Sequence, residues 1–500
     1  MNVYAVTSFD GGMNDVVDPS LLNTNTAAAL LNADVTGGKL VPFRRTVVLT
    51  TGTKPADFGH YGGADRSAVK WYERNYWSYN TATTAPYYGG DVENYLGIPY
   101  PAYTGTGANV TVAAGTPASG ETGISGAFKY CVTFVNANGW EGAPGSNTDY
   151  ETAITLSSQT GVVTVSWSSA IVAKAKIYRT IDQGADFYCI GEITTSGGTF
   201  RDTVPDTDAQ LMNPLSTIEY FPPPDKGKFL CEACGVFFLA VGSLLYFSVL
   251  GNPHAWPTTQ FVAIDDVITG IVPEFQGVLV FTSGSVFRVV GAENPDTVTK
   301  TYIPGDHGCI NYRTIAVLNN APVWLSRSGI ALWDGNSVTV PSHRVLNTNF
   351  KGIKGAAADN DRYFLFLTHG TAVYDLRNSG IFYKLGISCD YAWSDSTSGY
   401  FYWQAGSAIY LFNSGENLTM EYRSPLVGGD NPALKIFREL IMSNTAECRV
   451  FVSVDGVEKA QVVAPPGRTR MKLPFSATGY SLSLVVRTAG DFNGFTVLYD

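Results

Sequence analysis

The sequence predicts an all-β protein, and three observations predict it. Charged residues are sparse at 15 %, while Gly (52), Tyr (28), Phe (27) and Trp (9) are plentiful. That mixture suits short strands joined by tight turns, with aromatics filling pleated faces. One pattern recurs along the chain: four or five strand-forming residues, a tight turn usually carrying Gly, then a second such run. Helix signals, by contrast, are scarce. Five hundred residues also exceed what one hydrophobic core supports, so several domains are expected. The combined expectation is a β-propeller of about six blades, an inserted sandwich of the fibronectin type III or immunoglobulin-like kind, and a C-terminal sandwich-like β unit.

Residues 1–54 read as an N-terminal arm with one short helix over Pro19–Asn32, capped by Asp18 and opened by Pro19. Residues 55–100 hold the first blade, whose hairpin Ala68–Tyr79 is expected to turn at Arg74-Asn75. The stretch 101–120 is poor in charge and rich in Gly, Thr and Ala, and reads as a linker. Residues 121–205 carry their own strand runs: Ala127–Asn136, Glu151–Leu156, Val162–Ser166, Ala175–Thr180, Phe187–Thr194 and Thr199–Thr203. Turns fall roughly every 8–12 residues there, as in a single sandwich. Without a Cys–Trp–Cys spacing, the fibronectin-like form is favoured. Residues 206–224 form a connector.

Residues 225–424 carry the remaining blades. Hairpins fall at Gly235–Phe247, Gly277–Val289, Ala321–Trp333, Tyr363–Tyr374 and Tyr400–Leu411. Their glycines Gly242, Gly284, Gly329, Gly370 and Gly406 are spaced 42, 45, 41 and 36 residues apart, near the ~40–50-residue period of propeller blades. Six Trp (Trp71, Trp77, Trp324, Trp333, Trp393, Trp403) lie in or beside the hairpins, where flat rings pack between neighbouring sheets. Residues 425–500 form the last β unit. It has a hairpin turn at Val454-Asp455-Gly456-Val457 and strands at Lys472–Phe475, Leu482–Val486 and Phe495–Tyr499.

Composition narrows the function classes. A net charge of −10 argues against gripping nucleic acid through a general basic surface, while leaving transient passage of DNA open. Seven Cys, an odd and thinly spread set, read as buried free thiols made in a reducing cytosol. The N-terminus shows no basic segment followed by an apolar core, so no signal peptide is expected. Gly235–Leu250 is uncharged but shorter than the ~20 residues of a spanning helix, and it reads as a hairpin.

A search for chemistry finds no assignable catalytic, cofactor-binding or metal-ligating residue. The five His are His60, His254, His307, His343 and His369. No HExxH, phosphate-binding loop or GxSxG elbow is present. Cys231-x-x-Cys234 lacks the second ligand pair that zinc would need. Asp265 and Asp266, adjacent on a strand, would point to opposite faces and could not flank one glycosidic bond. Asp306-His307 beside Gly308-Cys309 lacks a positioning third residue. Tyr220-Phe221-Pro222-Pro223-Pro224 reads as a stiff connector, and Asn252-Pro253-His254-Ala255-Trp256-Pro257 as a fixed loop that aims Trp256 into a neighbouring blade.

Three groups of strings, in order along the chain, resemble the tail-nozzle or DNA-stabilisation proteins of short-tailed bacteriophages. The first is Phe9-Asp10-Gly11-Gly12-Met13-Asn14 with Asp18-Pro19, Asn32 and Gly37-Gly38-Lys39-Leu40. The second is Val132–Asn136 with Gly139-x-Glu141-Gly142-Ala143-Pro144 and Ile177-Tyr178-Arg179-Thr180. The third is Tyr220–Pro224 with Tyr246-Phe247-Ser248 and Asn252–Pro257. The resemblance implies a propeller-containing virion protein without catalytic residues or cofactor, made in the host cytoplasm. It implies six copies in a ring at the tail tip, through which DNA leaves, with adaptor or tube proteins and fibre or spike proteins as neighbours and no stable membrane insertion. The alternatives are a receptor- or glycan-binding, or glycan-cleaving, propeller of the tail, for which a carboxylate cluster recurring at one blade position would speak in the glycan case, and an intracellular scaffold, which a sharp blade consensus would favour.

Overall fold

The structure is a computed structural model. It describes every residue except 1, 45–46, 50–59, 62–63, 73, 81–85, 90–92, 106, 345–349, 351, 360, 378–379, 395–400, 407, 413–414, 429–432 and 474–476. The end of the expected strand Lys472–Phe475 and the side chains of His60, His343 and Trp393 lie outside the described residues. Strands take 54 % of the chain and helices 3 %, so the all-β expectation holds. The chain forms two units. One comprises Met1–Gly59, Leu279–Arg288 and Thr301–Asp500, and the other His60–Val278 with Val289–Lys300.

Six sheets follow one another along the chain, and within each, strands adjacent in sequence are adjacent in the sheet. They cover His60–Tyr95, Lys228–Ala263, Gly270–Ile303, Ala316–Thr339, Ile353–Leu385 and Tyr391–Leu411. Each expected hairpin lies in one of them. Tight turns with φ > 0 explain Gly242 (φ 62) and Gly406 (φ 59). Two details differ from expectation. The first hairpin turns at Tyr72 (φ 43), with Trp71 opposite Arg74, two residues before the expected place; that register lets Trp71 reach Phe237 in the next sheet, ring centroids 5.5 Å apart. Gly329 and Gly370 each open the strand after the turn, and a Cβ added to Gly329 would stand 2.3 Å from the Ser342 Oγ.

Aromatic contacts join successive sheets. Phe281 meets Trp324 at 4.8 Å and Phe364 meets Phe401 at 4.5 Å. The Trp324 indole is fully buried and donates to the His307 carbonyl at 2.6 Å. Rings of this size exclude water from both facing sheets.

The N-terminal segment is not an arm. Asn2–Val6 pairs with Phe492–Tyr499, and Ala33–Thr36 and Lys39–Pro42 extend the same sheet. The expected helix over Pro19–Asn32 is a single 3-10 turn, Pro19–Leu21, capped as foreseen by Asp18 accepting from the Ser20 N–H at 2.8 Å. Beyond it, Ala29–Leu31 is a strand between Ile381–Leu385 and Met420–Arg423. Asn23 to Thr26, poor helix formers, turn the chain, and burial of Leu30 in the core overrides the Ala-rich propensity. The last β unit therefore is not separate: its strands join the fifth sheet through Ala29–Leu31. Val47–Leu49 likewise becomes the fourth strand of the sixth sheet, antiparallel to Ala408–Leu411.

In the insert, the stretch read as a linker contains a strand, Val110–Gly115, paired with Val165–Thr160. Ile98, Tyr103 and Val110 belong to the insert core, so its structure begins near residue 98. The expected runs Glu151–Leu156 and Val162–Ser166 are one strand, Thr152–Val165, with Ser158 at φ 49. Its first half pairs with Ile124–Asn136, and its second half with Val110–Gly115 and Gly198–Asp202. One strand thus serves two sheets around a single core.

Candidate functional site

Polar and aromatic clusters form where distant segments meet, and the resemblance strings supply most of them. In the unit containing the insert, the loop Asn252–Pro257 follows a strand of the second sheet. Its two prolines fix the backbone, and Asn252 Oδ1 accepts from the His254 N–H at 3.0 Å. His254 is thereby held in a wholly buried site, its ring 4.8 Å from Tyr88, 6.3 Å from Tyr76 and 6.5 Å from Trp140. Nδ1 accepts from the Gly97 N–H at 3.3 Å, and Nε2 is buried with no hydrogen-bond partner among the described residues. Burial first, then the Arg74 guanidinium, pushes the imidazole down to about 4, so it is neutral near pH 7. Trp256 points into this aromatic core, as the sequence suggests, and its backbone N–H donates to the Phe221 carbonyl at 2.9 Å.

Two further clusters lie inside the insert. Glu141 accepts from the Thr133 and Tyr178 hydroxyls at 2.6 Å each and from Lys176 Nζ at 2.6 Å. Burial, followed by this carboxylate, drives the Tyr178 phenol well upward. Arg179 donates to Asp202 at 2.8 Å and to Asp206 at 2.7 Å, its guanidinium 4.6 Å from the Phe128 ring centroid; Tyr130 donates to the same Asp202 oxygen at 2.6 Å. Arg179 and Asp202 are both completely buried.

The other unit holds a cluster that the sequence reading missed. Asp34 accepts from Arg362 at 3.1 Å and from Arg377 at 2.5 Å; Asp375 accepts from Arg377 at 2.6 Å and from the Tyr383 hydroxyl at 2.9 Å. Asp359 holds Arg362 from the other side. Burial raises the Asp34 carboxyl, against the pull of Arg362 and Arg377. The available signal was the pair of strand-end motifs Asp359-x-x-Arg362 and Asp375-x-Arg377 in a chain with few charges.

The candidates singled out for chemistry are not brought together. Asp265 pairs with Lys300 at 3.0 Å on the surface, and Asp266 caps the Val267 N–H at 2.7 Å. Asp306 lies 3.8 Å from Arg327. Cys309 is fully buried, and desolvation pushes its thiol up to about 12, too high for a thiolate nucleophile at neutral pH. Cys231 is buried and Cys234 exposed. Among the described residues no group of three or more His, Cys, Asp or Glu could hold a metal ion. Apart from the His254 Nε2, the polar groups named in these clusters bond to one another or to backbone, so the chemistry they display is that of fastening.

No family model matches the chain, and no curated protein does. Solved structures with some likeness include BamB from Moraxella catarrhalis (8 % identity, covering 75 % of this chain and 98 % of that one, TM-score 0.30). The extracellular domain of a hybrid two-component system from B. thetaiotaomicron is another (10 % identity, 82 % and 64 %, TM-score 0.29). A third is an exo-β-1,3-galactanase from Phanerochaete chrysosporium (10 % identity, 91 % and 100 %, TM-score 0.19). At such scores these likenesses carry no argument about this chain; its class rests on its own strands: an all-β protein whose consecutive small sheets are fastened by buried clusters.

Proposed function

We propose that this chain is a structural virion protein of a phage tail, the nozzle ring at the distal end that retains the genome and then passes it during ejection. One observation carries the reading: the strings that resemble tail-nozzle proteins lie at the joints. Phe9 packs on Tyr422 and Phe492 at 5.1 and 5.5 Å. An added Cβ on Gly12 would stand 2.6 Å from the Ile381 Cβ. Asn32 links the Gly386 N–H to the Thr419 carbonyl. Phe221 and His254 sit at the joint described above, while Glu141 and Arg179 fasten the insert's own strands to one another. Residues spent on fastening the chain to itself suit a part that must hold its shape under load.

The six sheets are read as six blades of one closed propeller, because a sixth sheet completed by an N-terminal strand is what ring closure requires. Six copies form the tail ring, in contact with adaptor or tube proteins and fibre or spike proteins, and no catalytic turnover is part of the role. The excess of acid, −10 per copy, suits a conduit that lets DNA slide, since a basic wall would hold phosphates. The test is to image particles of a phage whose gene for this chain is deleted. The reading expects lost DNA and a tail lacking its distal ring; full particles with complete tips would overturn it.

A further inference from the structure

Two exposed surfaces of opposite charge stand out. The first is a rim of turns in the unit that contains the insert. Phe275, at the tip between Gly270–Glu274 and Gly277–Phe281, is 91 % exposed, and Leu250 is 52 % exposed. Turn chemistry calls for Gly, Asn or Asp at such a tip, not Phe. The rim is continuous: the exposed Cys234 donates to the Phe275 carbonyl at 3.8 Å, and Leu250 Cδ1 lies 3.2 Å from where a Cβ of Gly235 would be. It is also negative. After burial, Glu293, Glu232 and Glu274 are what raise the Cys234 thiol.

The second surface is the open side of the C-terminal unit. Val457–Ala464 ends one sheet and Gly467–Lys472 ends the other, so two edge strands joined by Pro465-Pro466 lie along the same side. On them Lys459, Arg468 and Lys472 are exposed, beside Val457 and Val463 at 57 % and 50 %. Basic side chains on edge strands also guard against edge-to-edge pairing, but guarding does not need exposed valines beside them.

We propose that these two surfaces bind each other between successive copies of the chain, the acidic, Phe275-bearing rim of one copy against the basic double edge of the next. A ring requires such a heterologous contact, made by two different and complementary patches; the proposal rests on the ring reading above and names its contact. Charge complementarity in a chain of net charge −10 selects a second copy as the occupant, because the basic edge is the counter-surface the acidic rim needs.

The test uses the full chain and sedimentation across the widest concentration range its solubility allows. The parent is expected to self-associate. Glu232→Gln, which keeps the acceptor for the Gly235 N–H, combined with Glu293→Lys, and separately Arg468→Glu with Lys472→Glu, are each expected to weaken association more than about tenfold, with melting temperatures unchanged. Mixing the two variants is expected to restore assembly, since each then offers the other a matching patch; Phe275→Ser is expected to weaken it without touching charge. Reversal variants that assemble like the parent would overturn this contact and leave the ring standing. A parent that stays monomeric throughout would overturn the contact and the ring together.

Discussion

Gly97 and Pro222 lie backbone against backbone: a Cβ on Gly97 would stand 2.6 Å from the Pro222 Cα, and Gly97 has φ 96. The incoming and outgoing segments of the insert therefore run side by side, and Tyr220–Pro224 acts as half of a clasp. Gly97→Ala meets both a backbone clash and a left-handed conformation. It is expected to destabilise by about 2–3 kcal/mol, read as a lower melting temperature.

Because Ile98, Tyr103 and Val110 belong to the insert core, a fragment spanning residues 95–224 is expected to fold as a monomer with a cooperative melt. A fragment of residues 118–208 lacks those side chains and one strand, and is expected to aggregate or remain unfolded. Circular dichroism of the two fragments checks this; equal folding would show that the stretch before residue 118 is a true linker.

The Arg179–Asp202 pair is fully buried. Arg179→Met leaves Asp202 charged with only the Tyr130 hydroxyl and backbone as partners, and is expected to cost about 3–5 kcal/mol. Adding Asp202→Asn removes the stranded charge and is expected to recover part of the loss. Denaturation midpoints of the single and double variants decide the matter.

His254 predicts an acid-sensitive joint. Its folded pKa is depressed from 6.5 to about 4, so the unfolded chain takes up a proton that the folded chain refuses. Stability is full above pH 6.5 and falls as pH drops from there towards 4, by on the order of 3 kcal/mol. His254→Phe keeps an aromatic ring in the site and is expected to flatten that slope. An unchanged pH profile of the melting temperature would show that the imidazole titrates in the folded protein.

Deleting residues 2–49 removes Asn2–Val6, Ala29–Leu31, Ala33–Pro42 and Val47–Leu49 from three sheets. It exposes the core around Tyr422 and Phe492. The truncated chain is expected to be insoluble, and adding the missing segment as a peptide during refolding is expected to recover soluble protein.

The features legible in the residues alone are local. The all-β class, the hairpins and the turn at Gly456 follow from period-two alternation and from glycines at tight turns, both properties of a few neighbouring residues. The burial of Trp324 follows from its place in an apolar run. Which strands lie side by side across hundreds of residues is settled by the fold as a whole. Ala29–Leu31 has an Ala- and Leu-rich string that favours helix, yet it is a strand because an open place between Ile381–Leu385 and Met420–Arg423 buries Leu30. Val110–Gly115 lies in a stretch whose composition suggests a linker, and pairing with Thr160–Val165 makes it a strand. Asp34, on the strand that follows Ala29–Leu31, meets Arg362 and Arg377 from 328 and 343 residues away. Register and partner choice depend on the whole buried surface, and no window of the sequence contains it.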